Sequence, residues 1–118
     1  MEAAASTTGG SGKASFVVEN NGTIDVTITG IAFNSSSTGY GFDGTATLDE
    51  NTTGETVNGS LQSFNTKYTF DPTVSLTPGD TSEFSVDRFD EDPKGTDLTF
   101  TVYLSDGSSA TFTITFPA

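Results

Sequence analysis

Between Leu98 and Phe116 the chain alternates apolar and mostly hydroxyl-bearing side chains, and the alternation is broken once, around Asp106-Gly107. Leu98, Phe100, Val102 and Leu104 interleave with Thr99, Thr101 and Tyr103. Ala110, Phe112, Ile114 and Phe116 interleave with Thr111, Thr113 and Thr115. Successive side chains of a strand point to opposite faces, so this pattern buries one face only when the backbone is extended. A helix would scatter the same residues around its circumference. Two alternating runs around Asp-Gly predict a β-hairpin with one apolar face and one hydroxyl face.

The rest of the chain follows the same grammar. A strand is predicted over Ser15 to Asn20, and Asn20-Asn21-Gly22 supplies residues that tolerate positive φ, as a hairpin turn requires. Ile24, Val26 and Ile28 then share one face, but Ile31 and Phe33 are out of phase with them, and Gly30 stands at the slip. A frame change of one residue at a glycine predicts a β-bulge. A weak strand is read at Thr45 to Leu48, an irregular stretch from Glu50 to Ser60, and a further β segment from Ser63 to Phe70. Pro72, ahead of Val74 and Leu76, marks an edge strand or a break. Leu76-Thr77-Pro78-Gly79-Asp80 carries proline and glycine where a type II turn needs them, and Phe84 and Val86 point inward from the strand that follows.

No helical periodicity appears beyond the first few residues. The length, 118 residues, suits one domain. About seven or eight short strands predict a single all-β antiparallel β-sandwich over residues 14–118. Residues 1–13 read as a flexible linker, from the Ser-Thr-Thr-Gly-Gly-Ser-Gly-Lys run, or as the end of a longer helix, from Met1 to Ser6.

Composition narrows the function classes. Cysteine and histidine are absent, which removes disulfides, thiol nucleophiles, imidazole bases and His- or Cys-ligated metals. Sixteen carboxylates against four basic residues leave a net charge of −12. That balance disfavours nucleic acid and anionic membrane surfaces. The carboxylates are dispersed along the chain, and such a shell repels itself at low salt and is screened at high salt. We read this as adaptation to a high-salt habitat, with an ordinary acidic secreted domain as the plainer alternative. There is no apolar run long enough to span a bilayer and no visible signal peptide.

The order of the signals resembles a known family. A strand ending in Glu19-Asn20-Asn21-Gly22 leads into Ile24-Asp25-Val26-Thr27-Ile28, Leu76-Thr77-Pro78-Gly79-Asp80-Thr81 opens a late strand, and a Phe/Val/Thr hairpin closes the chain. Over roughly residues 14 to 117 this resembles immunoglobulin-like sandwich domains of haloarchaeal cell-surface proteins, most of all the ectodomains of type IV pilin-like proteins. The resemblance implies an immunoglobulin-like sandwich facing outward from a filament or membrane-anchored core, often glycosylated and without catalytic residues. In that family the membrane is met only through an N-terminal helix, which this sequence does not contain.

Four N-x-[S/T] sequons, at Asn21, Asn34, Asn51 and Asn58, fall in predicted loops and turns and are candidate glycan acceptors. Chance also yields sequons in a chain this rich in Ser, Thr and Asn. Asp87, Asp90, Glu91 and Asp92 are the candidate cation ligands, since hard oxygens suit Ca²⁺. Counted from Asp90, however, Lys94 and Thr101 fall where an EF-hand loop needs ligands, and a solvated acidic loop explains the cluster equally. No other cofactor is expected. Tyr40 and Phe42, with Tyr68 and Tyr103, are candidates for an aromatic ligand platform, and ordinary cover over the sandwich is the plainer alternative.

These readings lead to an expected function: a non-catalytic structural ectodomain at the cell surface, partnered by copies of itself or by other surface proteins, with glycans and without nucleic acid. The alternative is a carbohydrate-binding or adhesion module that uses the loop aromatics, with calcium assistance. Assembly by strand exchange through the N-terminal segment is a third expectation.

Overall fold

The structure, a computed structural model, describes residues 1–8, 14–36, 48–50, 55–56, 67–86 and 95–116. These form nine strands: β1 (Glu2–Thr8), β2 (Ala14–Glu19), β3 (Val26–Ser36), β4 (Leu48–Glu50), β5 (Glu55–Thr56), β6 (Tyr68–Leu76), β7 (Thr81–Val86), β8 (Asp97–Leu104) and β9 (Ser109–Thr115). One sheet has the order β1-β2-β7-β4-β5 and the other β6-β3-β8-β9, and every pairing is antiparallel. The fold is all-β and sandwich-like, with one core between the sheets.

The hairpin predicted near the C-terminus is present in full. β8 and β9 pair from Asp97↔Thr115 to Tyr103↔Ser109. The turn is one residue longer than a two-residue Asp-Gly turn. The Gly107 amide donates to the Leu104 carbonyl (3.1 Å) and the Leu104 amide to the Ser108 carbonyl (2.9 Å), while Gly107 takes φ of 90°. This is a type I turn closed by a left-handed residue, which favours glycine. The type II turn is also as expected: the Asp80 amide donates to the Thr77 carbonyl (2.9 Å), and Gly79 has φ of 89°.

The bulge at Gly30 is found where the frame slips. β3 changes register between Ile28 and Gly30 against both β6 and β8. Ile28 lies in the core before the slip and Ile31 and Phe33 after it. One extra residue thus keeps both halves of an eleven-residue strand facing inward.

Three expectations are corrected. Glu2–Thr8 is neither linker nor helix end but an edge strand, whose inward residues Ala3 and Ala5, with Met1 just before it, rest against the core. Asn20-Asn21-Gly22 is not a hairpin turn: β2 and β3 lie in different sheets, and the segment carries the chain between them. Ile24 does not join the inward face. It precedes β3 and is 71% exposed. Both readings of Pro72 hold: β6 lies at the border of its sheet, and residue 72 falls between Thr69 and Val74, where the pairing of β6 with β3 breaks register.

Five phenylalanines join the sheets. Phe16 on β2 and Phe84 on β7 are directly paired and stacked (5.6 Å between centroids). Across the core Phe16 meets Phe100 on β8 at 4.6 Å and, edge-on, Phe33 on β3 at 6.1 Å. Phe112 on β9 extends the cluster from Phe100 at 5.6 Å. Such tilted and edge-on contacts suit the ring quadrupole and add to the area buried.

Asn20 is the polar counterpart of that cluster. It is 1% exposed, and its Nδ2 donates to the carbonyls of Ile24 (2.8 Å) and Leu76 (3.0 Å). Its Oδ1 accepts the Gly22 amide (3.1 Å), an Asx turn. Its backbone bonds Asp80 and Gly79 at 3.0 and 2.7 Å. One buried carboxamide therefore ties the β2–β3 connection to the β6–β7 turn. Among the described residues no buried side-chain polar atom lacks a partner.

The strands also have a common polarity of ends. Glu2 pairs with Glu19, next to Asn20, so β1 starts at the Asn20 end. The β8–β9 turn lies at that end too, because the Ser105 amide donates to the Thr27 carbonyl (3.0 Å). β9 therefore starts at the Asn20 end and finishes at the opposite one. β1 and β9, from different sheets, lie against each other along one flank.

Candidate functional site

The outward face of the β6-β3-β8-β9 sheet is a polar surface organised by cross-strand hydrogen bonds. Alternation places a hydroxyl or carboxylate at every outward position of β8 and β9, and antiparallel pairing sets these groups opposite one another. Thr115 Oγ1 donates to Asp97 Oδ1 (2.6 Å), and Thr99 and Thr113 share a hydrogen bond at 2.8 Å. Thr101 donates to Asn34 Oδ1 (2.8 Å) on β3, and its oxygen is 2.9 Å from Thr111 Oγ1. Because the single Thr101 proton goes to Asn34, Thr111 is the donor in the second bond.

The rungs end at Tyr103, which is half-buried. Its carbonyl accepts Thr29 Oγ1 (3.3 Å), and Lys67 Nζ lies 4.5 Å from its ring centroid. Lys67 precedes β6, which is separated from β8 by β3. Its side chain crosses β3 at Gly30: a Cβ there would lie 3.5 Å from Lys67 Cε. A methyl group at that position would be in ordinary van der Waals contact with the lysine. A cation over an aromatic face at an exposed site is worth about 0.5–1 kcal/mol.

A second, smaller feature lies on the other sheet. Glu2, Ala3, Ala4, Val17, Glu19 and Thr81 line a hollow of about 160 Å³. Glu2 and Glu19 stand directly opposite in the β1–β2 ladder, so like charges flank it.

The sequence candidates divide sharply. Asn34 is not in a loop but within β3, half-buried and engaged by Thr101. Asn21 is exposed in the connection between the sheets. Asn51, Asn58, Tyr40, Phe42, Asp87, Asp90, Glu91 and Asp92 lie outside the described residues. Among the described residues no three or more His, Cys, Asp or Glu gather into a metal-binding group, and no helix is long and apolar enough to cross a membrane.

Two carboxylates organise turns. Asp106 Oδ1 accepts the Ser108 hydroxyl (2.5 Å) and amide (2.9 Å), and these bonds hold its carboxyl below the ordinary carboxylate value. Asp80 Oδ2 accepts the Thr77 hydroxyl (2.6 Å) and amide (3.2 Å).

Sequence reasoning missed the Asn20 network and the Lys67–Tyr103 contact. Asparagine two residues before a glycine carried a usable Asx-turn signal for the first. The second depends on which strands are neighbours, and no local pattern encodes that. No protein-family model and no curated protein sequence matches the chain.

Proposed function

We propose that the chain is a non-catalytic structural ectodomain of an archaeal cell-surface or pilus-like filament protein in a high-salt habitat. The observation that carries this reading is the union of a −12 net charge with an outward sheet face whose hydroxyls bond one another in cross-strand rungs. Dispersed carboxylates keep a surface hydrated and colloidally stable when salt screens their repulsion. A face of satisfied hydroxyls suits display toward solvent.

We read the two sheets as immunoglobulin-like. The order β1-β2-β7-β4 corresponds to A-B-E-D of that fold, and β6-β3-β8-β9 to C′-C-F-G. The departure is that the chain visits the D position, at β4, before the C′ position, at β6. The partners of such a domain are copies of itself and neighbouring surface proteins.

Antibodies raised against the purified domain test the reading on intact host cells. Labelling of the cell envelope or of filaments is expected, and signal only after lysis would overturn it. Glycan-array binding that disappears with Tyr40→Ala or Phe42→Ala would replace it with a carbohydrate-binding role.

A further inference from the structure

Asn21 is exposed and is followed by glycine, the residue that least hinders its own backbone nitrogen. In that dipeptide the Gly22 nitrogen loses its proton to hydroxide and attacks Asn21 Cγ. The bond from Cγ to the side-chain nitrogen breaks, the leaving nitrogen takes a proton from water and departs as ammonia, and hydroxide is regenerated, giving a cyclic succinimide. Water then opens the ring at one carbonyl or the other, yielding aspartate or isoaspartate. The isoaspartate product routes the main chain through the side-chain carbon and lengthens it by one methylene.

The structure places a restraint on the attacking atom. The Gly22 amide donates to Asn20 Oδ1 at 3.1 Å. That oxygen cannot swing away freely, because Asn20 is 1% exposed and its Nδ2 is fixed by the carbonyls of Ile24 and Leu76. The proton that must leave is therefore held by an acceptor anchored to both sheets.

We propose that Asn21 is a deamidation site held closed by Asn20, whose carboxamide occupies the Gly22 amide and so slows succinimide formation. The restraint also makes the chemistry consequential. An isoaspartate at position 21 would carry Gly22 away from Asn20 Oδ1, cutting one tie of the connection between the sheets and adding a negative charge. The change is one-way in the absence of a repair enzyme.

The test is peptide mapping of the full chain after incubation in mildly alkaline buffer, with and without urea, resolving Asn, Asp and isoAsp at position 21. The native protein should react about fivefold more slowly than the unfolded chain, the factor that one net hydrogen bond supplies. Under native conditions Asn20→Ala should raise the rate toward the urea value. Asn20→Ser, which keeps an oxygen for the amide two residues on but loses the two Nδ2 bonds that anchor it, should fall between the native and Asn20→Ala rates. Hydrogen exchange at the Gly22 amide of the unmutated protein supplies a readout that needs no variant, and protection is expected. Equal rates with and without urea, an unprotected Gly22 amide, or folded Ala and Ser variants that react alike would each overturn the proposal.

Discussion

Lys67 reaches the ring of Tyr103 by passing over Gly30, on the strand that separates them. The same glycine sits where β3 slips register, and a Cβ there would lie 2.6 Å from the Tyr68 carbonyl oxygen. That neighbour is backbone and cannot turn aside. Gly30→Ala should therefore push β3 and β6 apart and cost roughly 1–3 kcal/mol, in the range of overpacking in a core. Urea denaturation checks this, and a midpoint matching that of the unmutated protein would show that the bulge tolerates a side chain.

Asn20→Ala removes both donors from the Ile24 and Leu76 carbonyls and the acceptor from Gly22. Unsatisfied buried groups cost about 1–3 kcal/mol each, so the loss should exceed that of a typical surface substitution several-fold. Equilibrium unfolding by circular dichroism measures it.

The aromatic core and the exposed apolar residue make a contrasting pair. Phe16→Ala should cost about 3–5 kcal/mol, because Phe16 touches rings from both sheets. Ile24→Thr, at a site 71% exposed, should change stability by less than about 0.5 kcal/mol. Comparable losses from the two would contradict the inward and outward assignments.

Salt should stabilise the protein. Sixteen carboxylates facing four cations repel one another, and the screening length shrinks from about 10 Å at 0.1 M salt to about 3 Å at 1 M. The melting midpoint should rise steadily on going from dilute buffer to molar NaCl at fixed pH. A flat midpoint would remove the argument for a high-salt habitat.

Asp106 should titrate low. Its bonds to the Ser108 hydroxyl and amide favour the ionised form, so folding lowers its pKa. The contribution to stability is then complete above the unfolded value and lost as pH falls through the folded one. The carboxyl is fully exposed, so the effect is one of titration position more than of stability. An NMR titration should place the Asp106 midpoint below that in Ser108→Ala, and identical midpoints would deny the hydroxyl its role.

Much of the fold was legible because period-two alternation is a local signal. It marked β8, β9 and β7, and its interruption at Gly30 marked the bulge. What escaped was non-local. Nothing around Asn20 says that β3 joins another sheet, since a turn and a crossover between sheets use the same residues. β1 was hidden because Glu2-Ala3-Ala4-Ala5 has helical propensity, and pairing with β2 overrides it. The outward rungs were half visible: threonine alternation put hydroxyls on one face, but their partners, such as Asn34 for Thr101, follow from register.

The end-to-end polarity of the first and last strands bears on how the domain would carry load. β1 starts at the Asn20 end and β9 finishes at the other, so a pull on the chain at Met1 and Phe116 runs along the strands. Antiparallel hydrogen bonds lie across the strand direction. Such tension slides β1 along β2 and β9 along β8, straining all rungs of each ladder at once instead of peeling them singly. The geometry is that of a link in a tensioned tether.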